Sequence, residues 1–374
     1  MSNWLWILGG SAMQIPAVEE AHCMGYKVIV TDRDPLCRCR EFADRFNDVD
    51  IFDIDRHLDL LSFMVKQCQI EGVIASGIDC PETAAAMQEF LRKPTAPREV
   101  ARICHNKKEF RKAMRVLGYP CPAEHDVVVK PIYGSGSRGV RLYVSTDEHQ
   151  VEERWHGSEH TVETVFDIEG KFHPCFITDR HFDYSGGYAL ETVLRHPSIL
   201  PYYVQRKAYQ IAESLGRDLG VNHGPFKLDI VVTDTGVRVI EATTRWAGGW
   251  DGQYLVPAAT GKNILRAGIL TCVGSPLDGS LTQKWNKVDL SESLWPPPGK
   301  IVSIEGTEEA RAIPGVEQII FRRGVGDYVR PYIDCGERVV FIIVSGESEE
   351  EVKDIMARAK EKIHIEVAQE EAAL

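Results

Sequence analysis

Residues 4–8 form an apolar run, Trp-Leu-Trp-Ile-Leu, that stops on Gly9-Gly10, and a second run, Val28-Ile29-Val30, stops on Thr31-Asp32. Between them Val18, Ala21 and Met24 recur at helical spacing and Gly25 follows, so the pattern reads strand, helix, strand. A second unit of the same kind runs from a helical stretch at Leu58 to Val65 into Gly72-Val73-Ile74-Ala75. Residues 1–100 are therefore expected to form a small parallel α/β domain, with its ligand crevice at the strand C-termini.

The remaining length has to be placed around that domain. At 374 residues the chain exceeds one ordinary core, and about 150 residues per domain predicts two to three domains. Lys plus Arg is 43 against 55 for Asp plus Glu, a net charge of −12, which excludes nucleic acid as a natural partner. Apolar residues at 44% and charged residues at 26% fit a globular enzyme-sized body. The opening MSNWLWILGG has no basic leader and no run of about 18 uncharged apolar residues occurs, so a cytoplasmic protein away from membranes is expected. Ten Cys without a secretory signal read as thiols, and Cys37 and Cys39, in CRCR, read as a solvated loop rather than half of a zinc site.

Residues 101–150 change character. A basic helix, Asn106 to Leu117, ends at Gly118, and Tyr-Pro-Cys-Pro breaks the chain before the strand Val127-Val128-Val129-Lys130. From 151 to 295 strands dominate, with a helix near Val204 to Leu215 and a hairpin, KLDIVVTDTGVRVIEAT, around a Thr-Gly turn. Ser291 to Lys300, with Trp-Pro-Pro-Pro-Gly, reads as a stiff linker. Residues 296–374 then carry short strands and a final helix, Glu349 to Lys362.

Three local patterns point to chemistry. Gly9-Gly10-Ser11 lacks the later glycines of a dinucleotide fingerprint, which leaves a tight turn or an anion resting on a helix N-terminus. In VVVKPIYGSGSRGV an apolar strand delivers Lys130 to a loop containing Gly134, Ser135, Gly136, Ser137 and Gly139. Backbone N–H groups, hydroxyls and an ammonium suit a polyphosphate, with an ordinary Gly/Ser turn as the alternative. In the hairpin, period-two alternation places Glu241, Thr243 and Arg245 on one face with Asp229 able to come opposite. Two converging carboxylates beside a phosphate loop suit Mg²⁺, against the alternative of a solvated charged strand. The histidines add little: His156 and His160 need a helix to share a face, and Gly157 argues against one.

Together these motifs resemble the ATP-grasp superfamily, specifically carboxylate–amine ligases with a biotin carboxylase-like or carbamoyl-phosphate-synthase-like layout. The resemblance runs from ILGGSAMQIP and VIVTDRDP through the hairpin to IPGVEQIIFRRGVGDYV. It implies a mixed α/β fold: an N-terminal pre-ATP-grasp domain (1–100), a small lobe carrying Lys130 and its loop (101–150), a large lobe with the metal site (151–295) and a C-terminal α/β segment (296–374). By the same resemblance Lys107, before Gly118-Tyr119-Pro120, and Lys130 bind ATP. Glu152, Glu153, Arg154 and Trp155 form the adenine-reading hinge, and Glu159 binds the ribose. Asp229 and Glu241 bridge Mg²⁺, for which Mn²⁺ is the substitute ion. The usual third ligand, an Asn, is replaced by Thr243, a poorer ligand. Arg245 stabilises the transferred phosphoryl group, with an ordinary ion pair as the alternative.

The implied reaction is attack of a carboxylate on the ATP γ-phosphoryl group, followed by capture of the acyl phosphate by an amine. Positioning and charge neutralisation carry such a step, so Lys130, Arg245 and the metal matter more than any covalent nucleophile. For the substrate, RWAGGWDG supplies Gly248, Gly249, Trp250 and Asp251. Glycines allow close approach, Trp is a flat wall and Asp can hold an ammonium, so an amino acid fits; a buried aromatic anchor under a turn is the alternative. Arg180 and Arg195 are candidates for a substrate carboxylate. The expected partners are small-molecule carboxylates and amines, and relatives are commonly homodimers. Two other readings stay open: a bicarbonate- or formate-using enzyme, and an ATP sensor without turnover, the latter motivated by Thr243.

Overall fold

The computed structural model describes residues 3–122, 127–131 and 149–368, with the backbone alone at 127–131 and 149–151. The N-terminal strands form a four-stranded parallel sheet in the order Arg45–Asp48, Lys27–Asp32, Asn3–Leu8, Gln69–Ala75. Its apolar runs are unbroken because both faces are covered: Leu5, Trp6, Ile7, Leu8 and Val28 to Val30 have no exposed surface. Leu5 and Ile7 pack with Ala17, Val18 and Ala21 of the helix Ile15–Cys23. Trp6 and Leu8 pack on Leu61, Met64 and Met87 of the helices Ile54–Met64 and Pro81–Phe90.

The Gly9-Gly10-Ser11 segment is a structural turn. Gly9 has φ +87°, and the Gly10 amide donates to Asp32 Oδ2 at 2.7 Å. Asp32 is thereby committed to the turn, its second oxygen accepting from the Asp34 amide at 2.9 Å. A side chain on Gly10 would come within 2.3 Å of Cys37 Sγ, so the site admits only glycine. This contact also corrects the reading of CRCR as a solvated loop. Cys37 and Cys39 are buried, at 9% and 0% exposure, and burial with the neighbouring Cys37 pushes the Cys39 thiol up to about 12.

The second sheet is antiparallel and eight-stranded. Its order is Gly236–Thr243, Gly224–Thr233, Ser158–Phe166, Phe172–Asp183, Leu190–His196, Val288–Leu294, Val340–Gly346, Val316–Phe321. The helix Tyr202–Leu219 covers one face, with Ala208, Ala212 and Leu215 against Val162, Phe166, Leu228 and Ile230. Gly216 allows this approach: a Cβ there would lie 2.9 Å from the Phe166 ring. Val165 and Phe176 pack in one cluster with Leu5, Ile7 and Trp246, so the two sheets share a core.

The stretch Ser291–Lys300 differs from its reading as a linker. Ser291 to Leu294 belong to a strand, with Ser291 opposite both Leu194 and Ile343, and only 295–298 connect it to the strand Gly299–Glu305. Alternation in DLSESL outweighs the following prolines, because that strand pairs on both edges. The final helix spans Glu349–Lys362, capped by Ser348 Oγ, which accepts from the Glu351 amide at 3.2 Å. Among the described residues no helix is long and apolar enough to cross a membrane.

Candidate active site

A cleft of about 900 Å³ runs from the C-terminal ends of the parallel sheet to the face of the antiparallel one. The hairpin forms its floor. Asp229 lies directly opposite Glu241, and Lys227 directly opposite Thr243. Asp229 is buried, at 4% exposure; Thr161 Oγ1 donates to one oxygen at 2.9 Å, and Lys227 Nζ and Arg180 Nη1 reach the other at 2.7 and 3.0 Å. Burial alone would raise its pKa, but the two cations hold it well below the usual carboxylate range. Glu241 is less enclosed, with Lys107 Nζ 3.7 Å away. Lys107 starts the helix Lys107–Val116, whose first turn Asn106 caps through its side chain.

The expected row of Glu241, Thr243 and Arg245 is interrupted, because the strand ends at Thr243. Arg245 lies beyond it and is held across the cleft by the N-terminal unit. Its Nε and Nη2 are 3.4 Å from Asp79 Oδ1, and Nη1 donates to the Trp246 carbonyl at 3.1 Å. Arg245 still lines the cleft with Asp229 and Glu241, whereas Thr243 does not. The Thr243 hydroxyl is buried without a hydrogen-bond partner among the described residues.

The residues expected to form the hinge, Glu152, Glu153, Arg154 and Trp155, line the same cleft together with Glu159. Glu152 is the penultimate residue of the strand His149–Glu153 and is buried against Arg111, whose Nε and Nη2 engage both of its oxygens, the latter at 3.1 Å. Arg111 also donates to the carbonyls of Val239 and Ile240, fastening the hinge to the hairpin. Arg154 stacks on Tyr184 at 3.8 Å, and the Tyr184 hydroxyl donates to Glu159 at 2.6 Å. Lys130 lies in the strand Val127–Pro131, opposite Gln150. Its loop residues Gly134, Ser135, Gly136, Ser137 and Gly139 lie outside the described residues.

Gly248, Gly249, Trp250 and Asp251 form one wall. Trp250 has φ +72°, rare for a side chain of that size, and a π-helical turn follows from Asp251 to Leu255. Asp251 is 2% exposed, its Oδ1 has no partner among the described residues, and burial pushes its carboxyl up to about 8. Glu163 behind it is also held near 8 by burial, while one of its oxygens accepts from the Ala247 amide at 2.6 Å.

The two arginines part company. Arg180 is in the cleft, clamped between Asp229 and Glu191, with Nε 2.6 Å from Glu191. Arg195 is not on the cleft: it pairs with Glu349 at 2.7 Å and lies 3.9 Å from Asp179. Strand register explains this. Arg180 pairs with Leu194, and both line the cleft; Asp179 pairs with Arg195, one residue out of phase and on the opposite face. The sequence reading passed over Arg111, Lys227, Glu191, Asp79 and Arg338, all lining the cleft. Arg338, from the C-terminal segment, donates to Glu191 at 3.0 Å.

Residues 104–249 match the ATP-grasp domain, and residues 293–368 match the L-amino acid ligase C-terminal domain 2. The chain thus carries an ATP-grasp domain followed by an L-amino acid ligase C-terminal domain 2. It is 24% identical over 394 residues to an uncharacterised protein, y4rH, of Sinorhizobium fredii, covering 92% of this chain and 79% of that one. It is 23% identical over 252 residues to the 3-methyl-D-ornithine–L-lysine ligase of Methanosarcina acetivorans, covering 64% of this chain and 66% of that one. The fold is that of the L-amino acid ligase from Bacillus licheniformis, with a TM-score of 0.83, 20% identity and 99% of each chain covered.

The matched ATP-grasp domain implies a divalent cation, and the donor set tests that implication. Among the described residues no group of three or more His, Cys, Asp or Glu converges to hold a metal. Two carboxylates face each other at Asp229 and Glu241, a set that suits one hard cation whose remaining ligands are substrate oxygens.

Proposed function

We propose that this ATP-grasp ligase joins the carboxylate of an amino acid to an amine at the expense of ATP. The observation that carries the reading is the convergence in one cleft of the facing carboxylates Asp229 and Glu241, the cation Arg245 and the unpaired polar atoms around Asp251. In this reading residues 101–150 and 151–295 enclose the nucleotide, residues 1–100 face the substrates across the cleft, and 296–374 contribute Arg338 to its wall. The substrates are small molecules, and the ten thiols suit a cytoplasmic location.

Glu241 and Asp229 would hold Mg²⁺, which when bound neutralises the polyphosphate and so lowers the barrier to nucleophilic attack. Lys107 and the Glu152–Trp155 strand end orient the nucleotide. Arg245, fixed by Asp79, keeps N–H donors for the phosphoryl group as a substrate carboxylate oxygen attacks the γ-phosphorus and ADP departs. The amine nitrogen then attacks the acyl carbon, inorganic phosphate leaves, and the nitrogen gives up a proton. Asp251, which lines the cleft with one oxygen that lacks a donor, suits the ammonium of an amino acid. The relative acting on 3-methyl-D-ornithine and L-lysine supports amino-acid substrates on both sides of the bond.

The test is phosphate release from Mg²⁺ATP across amino acids, singly and in pairs and with bicarbonate, with mass spectrometry of the products. A condensed product formed only from a pair establishes the ligase. Stimulation by bicarbonate alone replaces it with the carboxylating reaction, and ATP binding without turnover under every condition replaces it with a sensor.

A further inference from the structure

The phosphoryl-transfer face contains a cation of its own. Strand alternation sets Lys227 and Asp229 on one face, and register sets Thr243 and Glu241 opposite them, so the four side chains form a two-by-two patch. Lys227 is 7% exposed, lines the cleft and places Nζ 2.7 Å from Asp229 Oδ2. Arg180 shares that oxygen at 3.0 Å, and Thr161 occupies the other. Asp229 thus carries two fixed positive charges before any metal arrives.

A site for two divalent ions needs more oxygen ligands than this patch has. Thr243, where the resemblance expects an Asn, offers one hydroxyl instead of a carboxamide oxygen, and it stands opposite a lysine. A second divalent ion on this side would face both Lys227 and Arg180 at ion-pair range of the carboxylate it has to share. An ammonium beside phosphate oxygens supplies positive charge without needing such ligands. Building on the nucleotide site proposed above, we propose that this centre holds a single divalent cation, on Glu241 with Asp229. The Lys227 ammonium provides from within the protein the charge that a second ion would bring.

The test counts metal directly. The full-length protein is titrated with Mn²⁺ in the presence of a non-hydrolysable ATP analogue. Free Mn²⁺ is read by electron paramagnetic resonance and bound analogue by equilibrium dialysis. The wild type and Lys227→Arg bind one Mn²⁺ per bound nucleotide. The double variant K227M/T243N, which removes the charge and restores an amide ligand, binds two. Two Mn²⁺ in the wild type overturn the single-ion proposal while leaving the ligase reading intact. A ratio that stays at one in a double variant that still binds the nucleotide overturns the role of Lys227. Absence of nucleotide-linked Mn²⁺ in the wild type removes the nucleotide site, and this proposal with it.

Discussion

Two parts of the cleft solve the problem of buried polar atoms in opposite ways. On the floor, charges satisfy one another: Arg180 bridges Asp229 and Glu191, Arg338 binds the other oxygen of Glu191, and Lys227 binds Asp229. Around the wall at residues 247–251 they do not. Trp250 Nε1 and Asp251 Oδ1 are buried without partners among the described residues, as are Thr243 Oγ1, Glu163 Oε2 and Gln253 Oε1 outside the cleft lining, and Trp250 holds a left-handed backbone. A paired network stays in place before any ligand arrives, which suits charge stabilisation. Unpaired groups and backbone strain cost stability until a ligand supplies the missing partners, which suits substrate recognition.

If the paired half is the electrostatic half, removing Arg245 has the largest effect. Arg245→Ala is expected to lower turnover about 10²- to 10³-fold, as loss of a transition-state donor does. The KM for ATP stays nearly unchanged in steady-state phosphate-release assays; a change in KM alone would move Arg245 to ground-state binding. Next comes Glu191→Ala, which leaves Arg338 and one edge of Arg180 buried without their carboxylate. Chemical denaturation should show a loss of about 3 kcal/mol, and a loss near zero would mean that the network is not closed.

The unpaired half predicts a pH signature. Burial holds Asp251, Glu163 and Asp289 near 8, above the ordinary carboxyl value they regain on unfolding. Between those values the native state binds more protons, so each group's stabilising contribution is complete at acid pH and is lost as pH rises through about 8. The slope reaches about 1.4 kcal/mol per pH unit for each such group. Asp251→Asn and Asp289→Asn should each flatten this decline in the ligand-free protein, but only Asp251→Asn should also weaken substrate binding, since Asp289 lies away from the cleft. The smallest effect is expected for Trp250→Phe, which deletes an unpaired N–H. Stability should stay within about 1 kcal/mol, while the KM for the amino acid rises if that N–H meets the substrate.

Much of this site is legible in the chain because it depends on local periodicity. Two β-rich runs around a Thr-Gly turn bring Asp229 and Glu241 onto neighbouring strands, and the capped basic helix places Lys107 beside them. The turn's register alone would pair Asp229 with Ile240; a one-residue bulge between Asp229 and Ile230 sets it opposite Glu241. Lys227 is equally legible, since it lies two residues from Asp229 on the same strand face. Arg195 shows the converse. A one-residue difference in phase from Arg180 turns it away from the cleft, and that phase is set by pairing with Asp179, which no local pattern specifies.

The amino-acid sequence by itself determined the parallel opening domain, the hairpin that carries Asp229 and Glu241, and the closing helix, because each follows from spacing along a few turns or strands. Tertiary structure alone decided that Glu191 joins Arg180 to Arg338, a partner 147 residues further along, and that Asp79 holds Arg245 across 166 residues. It also decided which buried atoms go without partners. Periodicity fixes the face on which a side chain lies; which charge meets it there depends on how the sheets pack.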